Sequence, residues 1–388
     1  MTRLPWLTCL LLSTTAFAQT YDFENLTGSD IAPFVLLDGQ DNWSEQTFNA
    51  ARRCGVTATL SHDGTKSIQF QEVGPGYGCD ASRINDAAWS FGPFLGTETR
   101  AFFQVDMRAG FWGGIFGPAH DTNQSGSVRG SEAGERGVRV SLGTNANQQL
   151  RLIAADNTVT TAPLASLGSV VNGSTWLRIR VVMDLTANAG AGLGYVFTQN
   201  LTAGETWFTA VGALQGIPLA LDPTAADAKN PTRWDAMFLH FEGATYAMDN
   251  IRFGPRSAFL GAYEAGCGVP PLALTGRALP VVGTNADVLV TNLPTGALGG
   301  VLILGLAGID PGLDLSAAGL TGCRLAVAPA ASGDLTLGSS TASFALSIPA
   351  SPALVGAGVF LQSAVVAPGV NPASVLTSNG LRWDIGLH

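Results

Sequence analysis

From Trp176 to Leu185 every second residue is apolar, and the set between them carries the charges. Leu177, Ile179, Val181, Met183 and Leu185 fall on one side, and Trp176, Arg178, Arg180, Val182 and Asp184 on the other. A β-strand collects such sets on opposite faces, whereas a helix mixes them. A slip of one residue would bury both arginines, so the register is fixed as well as the element type. The same period recurs at 101–108, where Ala101, Phe103, Val105 and Met107 oppose Phe102, Gln104, Asp106 and Arg108. It returns at 138–142, with Arg139 outward, and at 236–241, where His240 lies opposite Met237, Leu239 and Phe241. His62-Asp63-Gly64, between apolar runs at 56–60 and 67–70, reads as a hairpin turn. No segment sustains a 3.6-residue period with helix caps, and 48 glycines and 20 prolines supply turns for many short strands. The chain is therefore expected to be all-β.

Two domains follow from 388 residues and from a change of composition. Residues 1–18 carry Arg3, an apolar run at 4–12 and Ala16-Phe17-Ala18, the layout of a cleaved signal peptide. The expectation is a protein that is secreted or held at the cell surface. Residues 19–260 are rich in tryptophan and charge, 261–271 read as a linker, and 272–388 hold eight charged residues among Ala, Gly, Leu, Val, Pro and Ser. No run is long enough to span a bilayer as a helix, so no membrane insertion is expected.

Without the leader four cysteines remain, and four allow three pairings. The local ones, Cys54 with Cys79 and Cys267 with Cys323, each fall within one proposed domain. Zinc is disfavoured because no C-x-x-C spacing occurs. A net charge of −9 with no basic cluster argues against nucleic acid as a partner.

Three stretches resemble a known superfamily: YDFENLTGSD at 21–30, HDGTKSIQF at 62–70 and YAMDNIRFG at 246–254. They are similar to the opening, early and closing strands of concanavalin A-like, or laminin-G-like, jelly-roll modules. The resemblance covers about residues 20–260 and implies a two-sheet sandwich that binds glycans on one face, without implying catalysis. First and last strands pair in such sandwiches, so Glu24 and Asp249 become candidate ligands of a structural calcium. A turn capped by Asp249 and Asn250 is the alternative. The C-terminal part has strand patterns at 287–291, 301–306, 323–327, 342–348, 358–366 and 381–387. It reads as a smaller immunoglobulin-like sandwich. It also resembles a poorly characterised module of bacterial exported proteins, and that resemblance brings no activity.

Trp176, Arg178, Arg180, Asp106, Arg108, Arg139, His240 and Glu242 would form one polar face if their strands shared a sheet. An aromatic plane with guanidinium forks suits an acidic or sulfated glycan. The plainer reading makes them ordinary outward residues of half-buried strands. A long loop is expected at 109–137, carrying Glu132 and Glu135 as a conceivable hydrolase pair. The E-x-D-x-x-E strand signature of sandwich glucanases is absent. The reading is thus a secreted, non-catalytic polysaccharide-binding protein. A polysaccharide hydrolase or lyase and a structural or adhesive surface protein are the alternatives.

Overall fold

A computed structural model describes residues 19–26, 35–37, 39–47, 52–57, 60–62, 64, 66–72, 79–84, 99–108, 113–125, 128, 134–143, 149–167, 171–242 and 247–388. The leader expected at 1–18 and Glu132 lie outside them, as does the side chain of Glu242.

The alternating segments become strands of two antiparallel sheets. In the ten-stranded sheet, Trp176–Asp184 runs between Leu193–Asn200 and Arg100–Arg108, and Ala247–Pro255 follows. Ser67–Glu72, Arg52–Thr57 and Val35–Leu36 extend the sheet. Gln19–Tyr21 also pairs with Ala247–Pro255, so the first and last strands of this sandwich meet, with Tyr21 opposite Ile251. The second sheet has seven strands in the order Val159–Pro163, Gln149–Ile153, Arg139–Gly143, Gly113–Ala119, Ala236–Glu242, Cys79–Ile84 and Trp43–Thr47. Inward residues of both sheets form one core: Leu177, Ile179, Val181 and Met183 from one, Val140, Leu152, Leu239 and Phe241 from the other.

Cys267 and Cys323 are disulfide-bonded. Cys54 and Cys79, the other expected pair, are both buried in the core between the two sheets. The loop expected at 109–137 is corrected in part. Gly113–Ala119 is a central strand between Arg139–Gly143 and Ala236–Glu242. Its composition, Gly-Gly-Ile-Phe-Gly-Pro-Ala, hides it from a propensity reading. Gly117 is needed there, because a Cβ would strike the main chain at Val138 and Arg139.

The second unit is a sandwich of five- and four-stranded antiparallel sheets. Its first strand, Phe259–Tyr263, pairs with Val375–Asp384, so the stretch read as a linker from residue 261 begins inside this sandwich. The two sandwiches share apolar contacts. Phe102, Val182 and Phe197, outward on the ten-stranded sheet, pack with Phe259, Leu260 and Trp383 in a single cluster.

Candidate functional site

The eight residues expected on one face divide between two sheets. Trp176, Arg178, Arg180, Asp106 and Arg108 share the outer face of the ten-stranded sheet, in register as Trp176 with Arg108 and Arg178 with Asp106. Arg139, His240 and Glu242 belong to strands of the seven-stranded sheet. The single cluster is therefore corrected, since the core separates the two groups.

The first group is bonded within itself. Arg178 grips Asp106 with two hydrogen bonds of 2.7 Å, from Nε to Oδ1 and from Nη2 to Oδ2. Asn250 donates to Asp106 Oδ2 at 3.0 Å, and His62 Nδ1 lies 3.5 Å from the same oxygen. Burial would raise the Asp106 carboxyl, but the donors of Arg178, His62 and Asn250 outweigh it and hold it below the usual carboxylate range. Arg180 lies under the second sandwich. Its guanidinium sits 4.6 Å from the Phe102 ring centre and 4.7 Å from that of Phe208, and it donates twice to Gln104 Oε1. Trp176 is 8 % exposed and stacks obliquely against His62 at 5.7 Å, so its ring offers no open platform.

Glu24 and Asp249 both accept from main-chain amides just before the strand Ser67–Glu72. Glu24 Oε1 accepts from the Lys66 amide at 2.8 Å, and Asp249 Oδ2 from the His62 amide at 3.2 Å. Lys66 Nζ donates to the main-chain oxygens of Glu24 and Leu26, each at 2.7 Å, and so sets a cation where a metal would seek carbonyls. Among the described residues no group of three or more His, Cys, Asp or Glu is arranged to hold a metal ion. Asp249 Oδ1 also accepts from the Asn250 amide at 2.8 Å, a contact of the capped-turn kind.

The seven-stranded sheet presents a different outer face. Following the pairing from strand to strand, Asp80, His240, Ile115, Ser141, Arg151 and Thr161 stand opposite one another in one row. Six strands about 4.8 Å apart make this row about 24 Å long. Two residues along the same strands lie Gly113, opposite Glu242, and Gly143, opposite Gln149, so part of the floor beside the row has no side chain. The opposite flank is covered. Val128 packs on Ala236, Phe238 and Ala119, and its amide donates to Ser82 Oγ at 2.9 Å. Arg139 is buried and donates to Asn157 Oδ1 at 2.7 Å, and its pKa is pushed down to about 10 by desolvation and by Arg136.

Within the row, His240 Nδ1 lies 2.5 Å from Asp80 Oδ1. Asp80 is buried while the imidazole remains partly exposed, and the carboxylate fixes the ring. Arg151 Nε donates to Gln149 Oε1 at 3.3 Å. Glu135, one of the two glutamates considered for hydrolysis, is buried and accepts from the amide and hydroxyl of Thr122 at 3.1 and 2.8 Å. It ties a loop. Asp80, Ser141, Arg151 and Thr161 were missed in the sequence, because only strand pairing puts them beside His240.

No known family description matches the sequence, and no curated protein matches it. Among solved structures, a lectin from Bauhinia forficata in complex with GalNAc is similar at 10 % identity and a TM-score of 0.27, covering 62 % of this chain and 98 % of that one.

Proposed function

We propose that this is a secreted protein that binds extracellular polysaccharide without cleaving it, with an extended saccharide lying across the seven-stranded sheet. The observation that carries the reading is the polar row from Asp80 to Thr161 beside Gly113 and Gly143. A chain crossing the strands meets Thr161, Arg151, Ile115 and His240 in turn, above the buried Ser141 and Asp80, and the missing glycine side chains leave room for sugar rings. Arg151 and His240 favour a uronic-acid-rich or sulfated polymer, because a guanidinium pairs with carboxylate or sulfate through charge-assisted hydrogen bonds.

The test is a glycan array with polysaccharide-retardation gels, run with calcium and with chelator, and a reducing-end assay on every polymer retained. Retention without new ends, weakened about tenfold by Arg151→Ala or His240→Ala and unchanged by Trp176→Ala, is the expected result. Loss of retention in chelator would bring a structural calcium back into the account. The 2.5 Å contact of His240 with Asp80 favours a second reading, proton transfer in a cleaving enzyme. New reducing ends, or unsaturated ends absorbing in the ultraviolet, would establish it. No retention on any polymer would favour a structural or adhesive role.

A further inference from the structure

Where the two sandwiches meet, a groove of about 590 Å3 opens that the reading above does not use. Both units build it. Leu260, Leu274, Leu289 and Leu381 line it from the second sandwich, and Tyr195 and Trp207 from the first. Trp207 is 40 % exposed, whereas Trp43, Trp176, Trp234 and Trp383 are buried. Across the seam the Arg277 guanidinium stands 5.7 Å from the centre of the Trp207 ring.

The polar groups of the lining narrow the kind of ligand. A saccharide needs hydrogen-bond partners around its ring, but here two of the polar side chains already bond the main chain. Gln215 Nε2 donates to the main-chain oxygens of Val196 at 2.7 Å and Val211 at 3.2 Å, and Thr275 Oγ1 to that of Leu289 at 3.3 Å. Among the described residues the lining holds one cation, Arg277, and no carboxylate. A leucine floor, one exposed indole and one cation at the rim describe a site for a molecule that is apolar over most of its length and anionic at one end. The volume falls in the range of small-molecule sites, which concentrate at domain interfaces.

We propose that this groove binds amphipathic monocarboxylates, with the apolar chain on the leucines and Trp207 and the carboxylate on Arg277. The orientation follows from charge: the fork pairs with both carboxylate oxygens while the tail leaves water.

Isothermal titration of the full chain with decanoate, kept below its micelle concentration, tests this. Saturable binding at one site is expected. Arg277→Gln should weaken it about tenfold, the loss of a charge-assisted pair. Leu289→Trp, which fills the groove, should abolish it. Decyltrimethylammonium has the same tail and the opposite charge, and should not bind there. Thermal unfolding of each variant checks folding, and Trp207→Ala, at an exposed ring, replaces any variant that fails and should lower affinity in the same direction. The proposal is overturned if decanoate shows no saturable binding, if decyltrimethylammonium binds equally well, or if folded Leu289→Trp binds decanoate as before. None of these results depends on polysaccharide retention, so the two readings stand or fall separately.

Discussion

Asp106 and Arg180 show how differently charges on one sheet face are held. Asp106 is buried among three donors, so Asp106→Asn should destabilise the chain by about 3 kcal/mol, leaving Arg178 without its counter-charge, as read from urea midpoints at pH 7. Its folded pKa is depressed, so the stability it contributes is present above the unfolded value near ~3.9 and is lost as pH falls through the lower folded value. The deficit of the variant should therefore shrink in strong acid. Arg180 is buried on the oxygen of an amide and between two rings, with burial pushing its pKa down to about 9. The single change Arg180→Met leaves Gln104 Oε1 without these donors and should destabilise. The double change Arg180→Met with Gln104→Leu should be neutral or stabilising by about 1 to 3 kcal/mol, and a double-mutant cycle reads the difference. Alternation placed these side chains on the right face. It did not say which were already satisfied, because that depends on Asn250, His62 and Phe208 arriving from distant parts of the chain.

Strands were legible where a half-buried face left a period of two. The expectation at 176–185 matches Trp176–Asp184, and that at 358–366 matches Gly358–Val366. Gly113–Ala119 was not legible, since glycine and proline conceal a strand whose place is fixed by neighbours on both sides. The polar row fared likewise: His240 was visible from its own strand, but its neighbours come from strands far away in sequence. The disulfide belongs to this scale too. Cys267–Cys323 closes a loop with a sequence separation of 56 and fastens the segment after Phe259–Tyr263 to the body of the second sandwich. Restricting so long an unfolded loop contributes roughly 4 kcal/mol. The paired change Cys267→Ser with Cys323→Ser should lower the unfolding midpoint of this sandwich, a loss that calorimetry of the whole chain would register.

For the molecule as a whole, the seam decides the response to pH. His388 packs against Phe102 at 6.0 Å, and its pKa is pushed down to about 4 by burial and then by Arg252 and Arg180. The unfolded chain takes up this proton near pH ~6.5, and the folded chain only about pH 4. The folded state thus binds the proton more weakly, and stability should fall with pH between those values. His388→Phe should flatten that slope, measurable as urea midpoints between pH 4.5 and pH 7. The change of composition placed the expected boundary at 261–271, whereas Phe259–Tyr263 already pairs within the second sandwich. The covering of one domain's outer face by the other was not readable, because Phe102, Val182 and Phe197 look in sequence like the ordinary outward residues of a half-buried sheet.

That shared cluster makes the first sandwich a poor candidate for life alone. Cut before Phe259, it would present Phe102, Val182 and Phe197 to water as one apolar surface, the kind of patch that drives self-association. The second sandwich therefore covers an apolar patch that its neighbour would otherwise turn to water.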